Sequence, residues 1–172
     1  MEYVFTLKYH IGALDPDAAI ERLGEAGCDD ALAGTGQAGR LALEFTREAR
    51  DARAAMLSAL ADVKRALPEA RLIEAAPDLV GLTDVANLIG VSRQNMRKLM
   101  LGHGASFPAP LHEGSASVWH LADILTWLKD KGSYDLDDTL AELADSARQI
   151  NLAKEARQLM PELRSEIEAL LA

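Results

Sequence analysis

The sequence predicts a mixed α+β chain in three parts, and three observations carry that expectation. Residues 1–78 alternate strand-like and helix-like stretches in the order strand, helix, strand, strand, helix, strand. Residues 79–132 hold two short amphipathic helices parted by a glycine, then a proline-bounded hairpin and a third amphipathic helix. Residues 133–172 are acidic, with apolar residues at helical spacing. With 172 residues, 49% of them hydrophobic and 26% charged, the chain suits one large or two small globular domains. No apolar run approaches the ~18 residues of a membrane span, and MEYVFTLKYH lacks a signal-peptide layout. The only cysteine, Cys28, excludes an internal disulfide and a cysteine-rich zinc site. A cytoplasmic protein with no membrane partner is expected.

Taken in order, Tyr3, Phe5, Leu7, Tyr9 and Ile11 alternate with Val4, Thr6, Lys8 and His10, the period of a strand with one buried face. Asp15 and Pro16 form a helix start, cap then first-turn proline, and the helix should reach Ala26 before Gly27, burying Ala19, Ile20 and Leu23. A short strand over 30–33 precedes a glycine-rich loop, and residues 40–46 alternate again. Residues 51–67 read as a helix stopped by Pro68, and 71–75 as a last strand. This order is that of a ferredoxin-like βαββαβ sandwich. Its third strand, RLALEF, lacks the aromatic and basic signature of an RNA-recognition motif. The loop Gly34–Gly39 matches G-x-G-x-x-G, but it leads into a strand pattern, whereas a dinucleotide site needs it to open a helix. A hairpin loop is expected there, and no cofactor.

Formal charge is −9 and opposes nucleic-acid binding at face value. The distribution tells more: residues 1–79 and 133–172 are each net −5, while residues 80–132 are net +1. In that middle part Thr83 is expected to cap a helix carrying Val85, Ala86, Leu88 and Ile89, and Gly90 supplies a tight turn. Ser92 then caps a second helix, expected over Ser92–Leu101. Its stripe of Met96, Leu99 and Met100 is apolar, and its other face presents Arg93, Gln94, Arg97 and Lys98 with Asn95 beside them. Such a face holds the donors needed for base edges and phosphates in a major groove. Arg93, Gln94 and Arg97 are assigned to bases, Lys98 and Ser92 to phosphate. Pro108 and Pro110 hold an extended segment, HEGS turns it, and Ser117–Trp119 returns, which makes a winged helix-turn-helix. His112, Ser115 and Ser117 on that wing are secondary contact candidates. The helix after it carries Leu121, Ile124, Leu125 and Leu128 and ends at Lys131 and Gly132.

The run LTDVANLIGVSRQNMRKLM…FPAPLHEGSASVWHLADILTWL resembles the winged helix-turn-helix of the AlpA/excisionase group within the MerR-like superfamily. Leu82, Val85 and Ala86 match its start and Gly90, Val91 and Ser92 its turn. Phe107, Pro108 and Pro110 match its F-P-x-P segment, and Trp119, Asp123, Ile124, Trp127 and Leu128 its ending. The resemblance covers about 50 of the 172 residues. It implies a DNA-binding role with Ser92, Arg93, Gln94, Arg97 and Lys98 at the base- and phosphate-facing positions. One feature departs from the group: the wing turn HEGSAS has Glu113 and no cation, where the family wing is usually basic. The weight of DNA contact therefore falls on the recognition helix.

In the tail, Leu136, Leu140, Leu143, Ala147 and Ile150 recur at four- and three-residue steps, and PELRSEIEALLA starts a further helix. These helices are expected to hold a homodimer, since two recognition helices one DNA turn apart read a palindrome. The alternative use of the seam is as an intramolecular lid. His10, His103, His112 and His120 are scattered, no metal set is evident, Cys28 has no adjacent base and no serine lies in a nucleophile elbow, so no catalytic residue is expected. The expectation is thus a homodimeric, sequence-specific transcriptional regulator on double-stranded DNA. Its residues 1–78 would form a sensory, partner-binding or dimerisation module for a small molecule or a protein. An excisionase-like architectural DNA-binding protein, or an antitoxin-like or assembly module without DNA binding, are the alternatives.

Overall fold

The computed structural model describes residues 1–132 and 134–171; Ser133 and Ala172, the two ends of the expected tail, lie outside the described residues. Within them the chain is mixed α+β, with seven helices and two antiparallel sheets. None of these helices is long and apolar enough to cross a membrane.

The first sheet is built from β1 (Glu2–His10), β2 (Ala31–Gly34), β3 (Arg40–Glu48) and β4 (Arg71–Ala76), in the order β2-β3-β1-β4 with every neighbour antiparallel. Helices α1 (Pro16–Glu25) and α2 (Ala52–Ala66) fill the two crossovers. The alternation of β1 does what its period requires: Tyr3, Phe5, Leu7 and Tyr9 are buried against α1 and α2, while Val4, Lys8 and His10 are exposed. Phe5 faces Phe45 across the strands, with ring centroids 5.4 Å apart. Asp15 and Asp51 cap the two helices, each accepting from the backbone N–H three residues on. Gly34–Gly39 joins β2 to β3 as a hairpin loop. Ile20, expected inside, lies on the solvent side of α1; Ala19 and Leu23 face the sheet.

The second core gathers α3 (Leu82–Ile89), α4 (Arg93–Gly102) and α5 (Leu121–Lys131) with β5 (Leu79–Val80), β6 (His112–Glu113) and β7 (Ser117–His120). Three corrections arise here. Helix α3 starts earlier than expected, with Gly81 as cap in place of Thr83, because the Asp84 carboxylate reaches back to accept from Gly81 N–H at 2.8 Å. Leu88 faces solvent although it shares the helical spacing. The sheet also has a third strand: β5 pairs with β7, Val80 opposite Trp119, so the order is β5-β7-β6. Two residues are too few for any periodic signal.

Helix α6 (Asp138–Ala156) joins the two cores. Leu143, Ala147 and Ile150 pack on the first, Leu140 and Ala144 on the second. It also closes the edge of β4. The Asn151 side chain accepts from Ala75 N–H and donates to Ala75 C=O, both at 2.8 Å, as a neighbouring strand would. Lys154 donates to Ile73 C=O at 2.6 Å. The same Asn151 donates to Asp78, a fully buried carboxylate whose other oxygen accepts from His120 Nδ1 at 2.7 Å; Leu121 N–H donates to the Asp78 carbonyl. Burying that carboxylate is tolerable because its oxygens are hydrogen-bonded. The final helix, α7 (Pro161–Leu170), buries none of its residues.

Candidate nucleic-acid interface

Helix α4 is oriented by its apolar stripe. Met96 is fully buried, and Leu99 and Met100 are half-buried on the second core. Burying a methionine side chain contributes about 1.5–3 kcal/mol, enough to fix the roll of a ten-residue helix. At about 100° per residue, Arg93, Arg97, Gln94 and Lys98 then occupy roughly 140° of the opposite surface. All four are exposed, as are Ser92 and Asn95. Gly90 makes the turn before α4 in the left-handed region, φ +73°, where a side chain would be strained. Ser92 is the N-cap: its hydroxyl accepts from Asn95 N–H at 3.1 Å. The helix begins at Arg93 and runs one residue past Leu101, with His103 as its C-cap.

The charges on this face are open to solvent. Arg47 is the opposite case: its guanidinium is held by Asp30 and Asp62 at 2.6 and 2.8 Å, is only 11% exposed and stacks over Phe45. Its hydrogen bonds to Asp30, then those to Asp62, push its pKa up against the opposing effect of burial. Arg93, Arg97 and Lys98 make no ion pair among the described residues, and α4 itself has no carboxylate. Arg40, Arg53, Lys64, Arg71 and Arg157 also make no ion pair among the described residues, but they are dispersed over several elements, whereas α4 gathers three such cations on one face.

The wing is short. His112 and Glu113 pair with Val118 and Ser117, and residues 114–116 turn between them. His112 and Ser115 are exposed and Ser117 half-buried. The His112 ring folds back over the turn: a Cβ added at Gly114 would fall 2.7 Å from its Nε2. Beneath this ribbon Phe107, Trp119 and Trp127 form an aromatic knot. Phe107 meets Trp119 and Trp127 edge-on, with centroids 6.1 and 5.0 Å away. Trp119 Nε1 donates to the Pro108 carbonyl and Trp127 Nε1 to Ser106 Oγ. His103 packs edge-on against Trp127 at 5.5 Å, tying the end of α4 to α5.

The structure thus brings Ser92, Arg93, Gln94, Asn95, Arg97 and Lys98 onto one helix and its cap, and sets His112, Ser115 and Ser117 on a separate ribbon. Sequence reasoning missed Asp78 and Asn151, whose network anchors β7 and α5 beneath the wing. The available signal was a polar residue, Asn151, beside Ile150 on the apolar side of α6. Among the described residues no three of His, Cys, Asp and Glu are grouped so as to hold a metal. Cys28 is buried, which raises its thiol pKa. No family model matches the chain, and no curated protein or solved structure matches it significantly.

Proposed function

We propose that the protein is a cytoplasmic, sequence-specific DNA-binding regulator that acts as a homodimer, with α4 in the major groove. The single observation that carries this reading is the exposed α4 face, with three cations lacking carboxylate partners and two amides on a molecule of net charge −9. Arg93, Gln94 and Arg97 read bases, and Lys98 with the exposed end of α4 at Ser92 meets phosphate. We read residues 79–132 as a winged helix-turn-helix of the AlpA/excisionase kind, supported by α3, the Gly90 turn, α4 and the β6–β7 ribbon in that order. The strand order β2-β3-β1-β4 supports a ferredoxin-like sandwich for residues 1–78. No catalytic role is assigned.

The dimer assignment narrows to α7. Leu136, Leu140, Leu143, Ala147 and Ile150 are packed within the chain, whereas Leu163, Ile167 and Leu170 of α7 are exposed along one side. A dimer through α7 sets two α4 helices on one duplex, and about 34 Å between them matches a palindrome.

Selection of bound fragments from random DNA at near-physiological salt tests the reading. A palindromic site supports the dimeric regulator. Clustered direct repeats move the protein to the architectural, excisionase-like role, and an unenriched pool removes DNA reading altogether. On the selected site Arg97→Ala should weaken binding by roughly 1–3 kcal/mol and relax selectivity at one position. Unchanged affinity in that variant rules out α4 as the reading helix.

A further inference from the structure

The remaining cations without an ion pair among the described residues sort by place as well. Apart from Arg53 they are Arg40, Lys64, Arg71 and Arg157, and all four line one open cleft of about 1030 Å³ between the end of α2, the start of β4 and the end of α6. We propose that this cleft binds a small organic polyanion of the nucleotide class, phosphate groups joined to an apolar or aromatic body.

The strand register builds one side of it. Arg40 lies opposite His10 across β3 and β1, and His10 lies opposite Arg71 across β1 and β4, so three nitrogen-bearing side chains form a row over three adjacent strands. Lys64 arrives from α2 and Arg157 from the cap of α6. Lys154 adds an ammonium that is already engaged by Glu155 at 2.8 Å and by the Ile73 carbonyl. Among the described residues no carboxylate lines the cleft. Cations at the C-terminal ends of α2 and α6 offset the helix dipoles, which accounts for Lys64 and Arg157. It does not account for Arg40 and Arg71, which lie on strands. Like charges gathered this way repel one another, and a bound anion removes that repulsion.

The size and walls decide the class. A single phosphate leaves most of 1030 Å³ empty, whereas small organic ligands occupy sites of roughly 300–1,000 Å³. Leu60, Leu67, Pro68 and Leu72 give the cleft an apolar wall beside its cations. That pairing suits phosphates at one end and a base or similar ring at the other. The inference does not rest on the reading of α4.

Calorimetric titration of the full chain with ATP, GTP and, separately, inorganic pyrophosphate tests it. Saturable binding of at least one nucleotide is expected, at least tenfold tighter than pyrophosphate. Arg40→Glu/Arg71→Glu should weaken it tenfold or more with the thermal midpoint unchanged, Arg40→Gln/Arg71→Gln should weaken it less, and Arg97→Ala should leave it intact. Absence of saturable nucleotide binding overturns the proposal, as does equal binding by the charge-reversed chain or pyrophosphate binding as tight as the nucleotides. Loss of duplex DNA affinity in the cleft variants, with no nucleotide bound by the parent, reassigns these cations to a DNA backbone contact and equally overturns it.

Discussion

Helices α6 and α7 carry the same kind of pattern, an apolar stripe on a mostly acidic helix, and meet opposite fates. Helix α6 buries Leu143, Ala144, Ala147 and Asn151 between two cores; α7, four residues further on, leaves Leu163, Ile167 and Leu170 in solvent. An amphipathic stripe says that a helix has an apolar counterpart, not on which chain that counterpart lies. Helix α6 finds it in the strands and helices that precede it, whereas α7 buries none of its residues among the described part of the chain.

That contrast can be broken or sharpened by mutation. The largest effect is expected at Leu143→Ala, which opens a cavity in the first core and should destabilise the chain by about 2–5 kcal/mol in denaturant unfolding. Trp119 and Trp127 lie in the second core, so their fluorescence should report the same midpoint as far-UV circular dichroism. Two separated transitions would mean that α6 does not couple the cores. Asn151→Ala removes the partner of Ala75 and one of the partners of Asp78, and should destabilise by about 1–3 kcal/mol. A neutral result would deny α6 its part as edge cover. The smallest effect on folding is expected at Leu163→Ser/Ile167→Ser, within about 0.5 kcal/mol, because α7 buries none of its residues. Light scattering should nonetheless register those two substitutions as loss of the dimer; an unchanged mass would move the interface off α7.

A truncation designed from the sequence would have misled here. Removing residues 134–172 to test dimerisation also removes α6, so the outcome would report unfolding. Ending the chain near Arg157, the cap of α6, isolates α7.

How much was legible follows from the range over which each feature is specified. The alternation in β1, the Asp15-Pro16 and Asp51 helix starts, the Gly90 turn and the inward Met96 are local, and the sequence sufficed. The first helix of the middle part was misread by two residues because Thr83 and Asp84 are both good capping residues and only geometry selects Asp84. Helical period alone puts Ile20 inside, but α1 turns Ala19 and Leu23 to the sheet and Ile20 to solvent. Strand β5 exists through its pairing with β7 and has no signature of its own. The basic cleft has no local signature, since Arg40, Lys64, Arg71 and Arg157 come from four separate elements. The α4 cations were visible because they follow one another on one helix. Their lack of carboxylate partners is a property of the folded chain and has no sequence signal.

The strand-like grip of Asn151 on Ala75 has a practical corollary for anyone wishing to transplant the α3–α4 segment into another scaffold. The piece that reads as portable, residues 79–132, carries half of a joint whose other half is Asp78, and Asp78 is held by a helix that also serves as the last strand of a different sheet. Cut out, it would expose the socket of Ala144 and leave His120 without its carboxylate. The smallest graft that keeps its own seams closed must therefore bring α6, and with α6 comes the bare edge of β4 as a debt to the new host.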